Sequence, residues 1–237
     1  MNIKLNVGIQ IYNTCLGQAL KCLRAVRADK NYRTAVETKQ YISRILEKIS
    51  GKKSECSDKQ REQYDILKSQ KDELLKYIRW LEQFYGYSEF DMFKFVSNVQ
   101  CKFKSNIGSL EAQELAARAF RAVEKLHYHE ADKIRFKHYG DETSVANKNN
   151  NSGLRYVNGM ISWGGKLNLR FTVRRNDVYA QTALCDTNKY VRIIRRDVRG
   201  KQRFFVEMFV VSNDSSYSLY KKDTLLGKTY SISKQER

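Results

Sequence analysis

The residues best suited to chemistry are the basic and aromatic side chains between positions 189 and 205. A planar guanidinium binds phosphate through two parallel N–H donors, and an aromatic ring offers its face to a nucleobase. This segment supplies both groups and so predicts a surface that contacts a phosphate backbone. The alternative is a solvated hairpin with its aromatic rings in the core. The candidates are Lys189, Tyr190, Arg192, Arg195, Arg196, Arg199, Lys201, Arg203, Phe204 and Phe205.

Side chains alternate between the two faces of an extended strand, and this alternation sorts the candidates. The two expected sets are Arg192, Ile194 and Arg196 on one face, and Val191, Ile193 and Arg195 on the other. Phe204 and Phe205 are neighbours and point in opposite directions, so we expect at least one of them in the core.

A second basic cluster follows helical spacing. Arg118, Arg121 and Lys125 recur at three- and four-residue steps, which places them on one ridge of a helix. Further basic residues follow at Lys133, Arg135 and Lys137. Phe120, Val123 and Leu126 would then take the buried side. A solvated helix face fits the spacing of this ridge equally well.

The sequence offers no complete catalytic or metal site. Five cysteines are widely spaced, without a CxxC pair or a Cys/His cluster, so neither zinc nor a disulfide framework is predicted. His127 and His129 end a predicted helix, where residues two apart face different directions, and a capping or surface role is favoured. The adjacent acidic pairs do not supply the converging carboxylates that a two-metal nuclease needs. We predict no catalytic residue, no metal and no cofactor.

The net charge of the chain is the strongest guide to its partners. Its 237 residues carry 44 Lys and Arg against 26 Asp and Glu, a net charge of +18. Such an imbalance is typical of a protein that a polyanion neutralises, and nucleic acid is the leading candidate. An acidic membrane surface competes, but the chain has no apolar run of about 18 residues. A basic protein merely kept soluble by its charge is the third reading. Residues 1–13 lack the features of a signal peptide, which favours the cytoplasm.

The elements that position these residues are helical first and extended later. Helices are predicted from apolar periodicity, with start signals at Ser57, Ser88 and Ser109 and a stop at Gly86. Their approximate spans are 7–26, 32–49, 57–84, 90–103 and 110–129. The Asn-rich stretch from Thr143 to Gly153 is predicted to be a loop.

Short alternating segments follow that loop. Asn158-Gly159 predicts a tight turn between strands 154–157 and 160–163. Residues 166–173 alternate as a further strand, and 190–194 would pair with 203–211 across a turn near Gly200. The fold class is therefore α+β: a helical domain over 1–140, a small antiparallel β-barrel over 141–211, and a loose tail over 212–237.

Several runs in this order resemble the N-terminal half of the TnpB family, transposon-encoded RNA-guided nucleases related to type V CRISPR effectors. The runs are Ile11–Leu20, Ala116–Lys125, Arg135–Lys137, Gly153–Tyr156, Trp163–Leu167 and Lys189–Phe205. The resemblance implies a helical recognition lobe and a wedge-type β-barrel that hold a guide RNA scaffold, the guide–target duplex and a short target-adjacent DNA motif. It also adds Arg155 to the residues expected to contact nucleic acid.

The resemblance stops after Val211, where the family continues into a RuvC-like nuclease domain. Residues 212–237 supply neither its first acidic strand nor a zinc ribbon. We therefore expect a chain without a nuclease domain that binds structured guide-type RNA, DNA or an RNA–DNA heteroduplex without cutting it. One alternative is one half of a split endonuclease completed by a separate RuvC subunit. The other is a guide-independent DNA-binding regulator.

Overall fold

A computed structural model of the chain describes residues 1–50, 58–165, 167–173, 175–211 and 227–232. The first half of this described part is helical, as the apolar periodicity predicts. Its helices are α1 (Asn2–Ala28), α2 (Lys30–Ser50), α3 (Asp58–Phe84), α4 (Glu89–Cys101) and α5 (Ser109–His127). The buried stripe of α1, which includes Leu5, Ile11, Leu16 and Val26, lies at the centre of the helical core.

Local signals fix most of the helix ends. Gly86 adopts a positive φ of 69° just after α3. The hydroxyl of Ser88 accepts from Asp91 N at 3.1 Å and so caps α4 as predicted. The expected cap Ser109 is instead the first residue of α5; Gly108 precedes it, and its N–H donates to the Glu111 carboxylate at 2.6 Å. The predicted cap Ser57 lies outside the described residues.

Strands dominate the second half and form two antiparallel sheets. The larger has the order β1-β6-β7-β8-β5 and the smaller the order β2-β3-β4. The strands are β1 (Thr143–Ala146), β2 (Leu154–Val157), β3 (Met160–Trp163), β4 (Leu167–Leu169), β5 (Phe171–Thr172), β6 (Thr187–Val198), β7 (Lys201–Val211) and β8 (Gly227–Ile232). A short helix, α6 (Val178–Ala183), was not predicted; the Asp177 side chain caps it. The α+β class is confirmed.

Two predicted hairpins are confirmed with their turns. Asn158 and Gly159 have φ values of 50° and 75° between β2 and β3, and Arg199 and Gly200 have 56° and 73° between β6 and β7. Two consecutive residues with positive φ twist the chain in the sense that antiparallel strands require. The barrel is not confirmed: within the described residues, β1 and β5 are the open edges of the larger sheet.

Three segments differ from the sequence-based expectations. The predicted loop over Thr143–Gly153 begins with β1, whose Ser144 pairs with Ile194 of β6. The predicted strand over 166–173 divides into β4 and β5, which belong to different sheets. The tail expected to be loose contains β8, which pairs with β7, while 212–226 and 233–237 lie outside the described residues.

The helical and β regions meet where α1 crosses β1. A Cβ placed on Gly8 would lie 2.9 Å from Cγ2 of Val145, closer than real side chains pack. Val145 is fully buried. A residue without a side chain is therefore required at position 8 for α1 to approach the sheet this closely.

Candidate nucleic-acid interface

Strand β6 has one face turned to the helices and one turned away, as its alternation predicts. Val191 and Ile193 are fully buried on the inner face, and Val206 and Met208 of β7 lie beside them. Phe204 also packs against this core. The prediction that at least one of the Phe204–Phe205 pair is a core residue is confirmed.

Arg195 lies on this inner face and is only 2% exposed. Its guanidinium donates to Asn6 Oδ1 at 2.9 Å, to Asn2 Oδ1 at 3.4 Å and to the backbone carbonyl of Asp141 at 3.1 Å. Burial lowers the pKa of this guanidinium, and the charge of Asp141 raises it. Arg195 was predicted to contact phosphate; in this structure it instead ties the start of α1 to the sheet.

The opposite face of β6 and β7 alternates cations with aromatic rings. Tyr190 stacks on Phe209 with ring centroids 4.1 Å apart. The guanidinium of Arg192 lies 5.2 Å from the Phe209 centroid, and that of Arg196 lies 5.7 Å from the Phe205 centroid. We call this surface the outer sheet face; it comprises Tyr190, Arg192, Ile194, Arg196, Arg203, Phe205, Glu207 and Phe209, of which Ile194 and Phe209 are only 8% exposed.

One carboxylate lies among these cations. Glu207 approaches Arg192 at 3.2 Å and Arg196 at 4.0 Å, and its side chain is only 14% exposed. It orients both guanidinium groups while leaving part of each in solvent. Arg203 is the direct cross-strand partner of Arg196 and forms no ion pair among the described residues.

The predicted helix ridge of α5 and the basic strand β6, identified separately in the sequence, meet at Arg118. This half-buried residue donates from Nη1 to the carbonyl of Ser144 at 2.8 Å, and Ser144 pairs with β6. Burial lowers the pKa of Arg118, and the nearby charge of Arg192 lowers it further. Burial and the charge of Arg118 likewise lower the pKa of Lys137. Arg118 therefore lies within electrostatic range of two like charges, Arg192 and Lys137.

The other predicted contacts are more dispersed. Arg121 is exposed and forms an ion pair with Glu89 at 3.4 Å. Its partner therefore differs from that of Arg118, which bonds to Ser144. Arg155 is half-buried and donates to the carbonyl of Asn151 at 3.1 Å. The remaining predicted residues are exposed, at the ends of the β6–β7 hairpin or on the helical side: Lys125, Arg135, Lys189, Arg199 and Lys201.

Two features of the site escaped sequence reasoning. One is the stacking of Phe209 on Tyr190. Pairing the residues of the two strands outward from the turn at Gly200 would have predicted that these two lie opposite each other. His127 was expected at the surface, but its side chain is only 11% exposed and lies 3.0 Å from the Tyr32 hydroxyl and 3.8 Å from Glu82. No spacing signal relates residues so far apart in the chain.

The described residues contain neither a metal cluster nor a membrane helix. No three His, Cys, Asp or Glu side chains there lie close enough together to hold a metal ion. No described helix is both long and apolar enough to cross a membrane. Comparisons with protein-family models, curated proteins and solved structures found no match.

Proposed function

We propose that the protein binds structured RNA or an RNA–DNA duplex through the outer sheet face and the adjoining Arg118–Lys137 cluster, without cutting it. The observation that carries this proposal is the direct pairing of Arg196 with Arg203 across β6 and β7. Like charges directly opposite one another destabilise a sheet. A phosphate lying between the two guanidinium groups would turn that repulsion into attraction.

Three properties of the surface support a polyanion over a single small anion. The cations extend from Lys137 and Arg118 past Arg192 to Arg196 and Arg203, so that successive phosphates find successive partners. Glu207 is the one acidic side chain paired with the cations of this face among the described residues. The whole chain carries a charge of +18, which favours release of counterions from a nucleic acid on binding.

We further propose that the chain acts in the manner of the recognition part of a TnpB-like protein in the cytoplasm. Helices α1 to α5 would serve as the recognition lobe, and the two sheets as the wedge-type β region. Its partners would be a guide-type RNA scaffold and the guide–target duplex. The order of a helical half before a strand-rich half supports this assignment.

The deciding experiment is purification of the chain from its native host and sequencing of the RNA that purifies with it. We expect one defined, structured RNA; recovery of background RNA alone would contradict the guide-binding role. Binding of naked duplex DNA as tightly as RNA would favour the guide-independent regulator. Mg²⁺-dependent cleavage that appears only with a separately encoded RuvC subunit would favour the split endonuclease, whereas cleavage by the chain alone would contradict binding without cutting.

A further inference from the structure

We infer that an aromatic ladder on α3 binds unpaired bases of the same nucleic acid, an inference that rests on the proposed function. The aromatic ladder consists of Tyr77, Trp80 and Phe84. Their exposed fractions are 41%, 55% and 68%, so all three rings are accessible to solvent.

The rings form a continuous stack along the helix. The centroids of Tyr77 and Trp80 are 5.9 Å apart with planes 14° from parallel, and those of Trp80 and Phe84 are 5.6 Å apart with planes 26° from parallel. Tyr85 closes one end by meeting Phe84 edge-on at 5.2 Å. Parallel, solvent-facing rings are the arrangement on which bases stack without regard to sequence.

The exposure of the ladder follows from the register of α3. Steps of three and four residues place Tyr77, Trp80 and Phe84 on one face. Ile78 and Leu81, only 7% and 4% exposed, are buried in the core on the other face. The helix is therefore anchored by its inner face, and the rings project from a rigid element.

Charge selects nucleic acid over an apolar protein partner. From Leu74 to Phe84, the exposed charged side chains are Lys76 and Arg79, and neither forms an ion pair among the described residues. Glu82 is only 16% exposed and lies against Tyr32 and His127. Glu73, one turn before Tyr77, is the nearest exposed acid on α3. Two cations beside three rings match a base with its flanking phosphates.

Unpaired bases fit better than a duplex. Within a duplex each base is covered on both faces by its neighbours, whereas a flipped or single-stranded base has a free face. The ladder lies on α3, which packs on α2, while the outer sheet face belongs to β6 and β7. The two surfaces would contact different parts of one RNA.

Fluorescence gives a direct test on the full chain. Trp80 is exposed, and Trp163, the second of the two tryptophans, is fully buried. Saturation with oligo(U) is expected to quench the Trp80 emission and to protect it from iodide. A blunt-ended RNA duplex is expected to leave iodide quenching unchanged. Equal accessibility to iodide with and without oligo(U) would overturn the inference.

Affinity measurements with matched variants complete the test. Trp80→Leu and Phe84→Leu keep an apolar side chain but remove the ring, and each is expected to weaken oligo(U) binding roughly tenfold with duplex binding unchanged. The control is Tyr41→Leu on α2, because the Tyr41 ring is 65% exposed but lies outside the aromatic ladder. It is expected to change the affinity neither for oligo(U) nor for the duplex.

These measurements distinguish a failure of the ladder inference from a failure of the proposed function. If the wild type binds duplex while Trp80→Leu binds oligo(U) as tightly as the wild type, the ladder inference fails and the proposed function stands. If the wild type binds neither oligonucleotide, both fail. If the wild type is a dimer that Trp80→Leu converts to a monomer, the ladder is an interface between copies and the inference fails.

Discussion

The guanidinium of Arg195 lies 2.9 Å from Oδ1 of Asn6, joining two residues that are 189 positions apart in the chain. This contact places the second of the three arginines of β6 inside the molecule, while Arg192 and Arg196 remain on the outer sheet face. The most basic strand therefore serves two purposes. One face holds the helical region against the sheet, and the other carries partly exposed cations.

Replacing Arg195 with Ala is expected to lower the free energy of unfolding by about 2–4 kcal/mol, because it removes three partly buried hydrogen bonds and leaves the amide of Asn6 without its partner. Chemical denaturation measures this change. Lys201→Ala, an exposed change at the end of the same hairpin, is expected to stay within about 0.5 kcal/mol of the wild type. Equal stability of the two variants would contradict a structural role for Arg195.

Replacing Arg196 and Arg203 together with Ala is expected to weaken nucleic-acid binding without loss of stability. The pair consists of like charges directly opposite each other, so its removal relieves repulsion within the sheet. The slope of log Kobs against log salt is expected to flatten by about 0.9 for each phosphate that the variant no longer neutralises.

The charge-matched control for this variant is Arg44→Ala with Lys48→Ala, two exposed positions on α2. Its salt slope is expected to remain near that of the wild type. An identical slope for both double variants would mean that the outer sheet face does not contact phosphate.

Replacing Gly8 with Ala is expected to destabilise the protein by about 1–3 kcal/mol, because the new Cβ would lie 2.9 Å from Val145 Cγ2. Thermal or chemical denaturation gives the measurement. Gly17→Ala in the same helix meets its nearest neighbour, Phe136, only at 4.0 Å and is expected to stabilise by up to about 1 kcal/mol.

A second change tests the origin of the Gly8 effect. Val145→Ala removes the methyl group against which the new Cβ would press. In the Gly8→Ala background, Val145→Ala is expected to lower the free energy of unfolding by less than it does in the wild type. Simple additivity of the two substitutions would place the strain elsewhere.

Cys15 is expected to resist thiol reagents at pH 8 while Cys101 and Cys185 react. Burial raises the pKa of the Cys15 thiol to about 12, so the reactive thiolate is scarce in the folded state. Cys101 and Cys185 are exposed. Labelling followed by peptide mass spectrometry identifies the modified positions, and rapid labelling of Cys15 under native conditions would contradict its burial.

The same shift has a consequence for stability at alkaline pH. In the unfolded chain the Cys15 thiol ionises near pH 9, whereas in the folded protein it stays protonated to about pH 12. The unfolded state therefore binds fewer protons over this window, and the free energy of unfolding falls as pH rises. The contribution of Cys15 is at most about 1.4 kcal/mol per pH unit, and Cys15→Ala is expected to remove it.

Local patterns predicted the elements better than their assembly. The apolar steps within α1 and the Asn158-Gly159 turn are properties of neighbouring residues, and both were confirmed. The alternation of β6 separated Arg195 from Arg192 correctly. Which of the two faces would be buried depended on Asn2 and Asn6 of α1, and no pattern within β6 carries that information.

The features that the sequence analysis missed, strand β1 and the buried His127, also depend on contacts between distant parts of the chain. The strand β1 was hidden because Thr143–Ala146 adjoins an Asn-rich stretch, and its extended form is stabilised by pairing with β6, about fifty residues later. His127 gained its buried position from Tyr32 and Glu82, which belong to other helices. In each case, distant tertiary contacts outweighed the local preference.

The carboxylate of Glu207, which orients Arg192 and Arg196 from within the outer sheet face, also acts as a built-in competitor. A lone chloride or inorganic phosphate must displace it to engage both guanidinium groups, and gains little by the exchange. A chain of phosphates meets the same competitor once while engaging several cations, since each contact after the first is intramolecular. Under the proposed function, the surface would discriminate by valency and would bind a polymer of phosphates in preference to small anions.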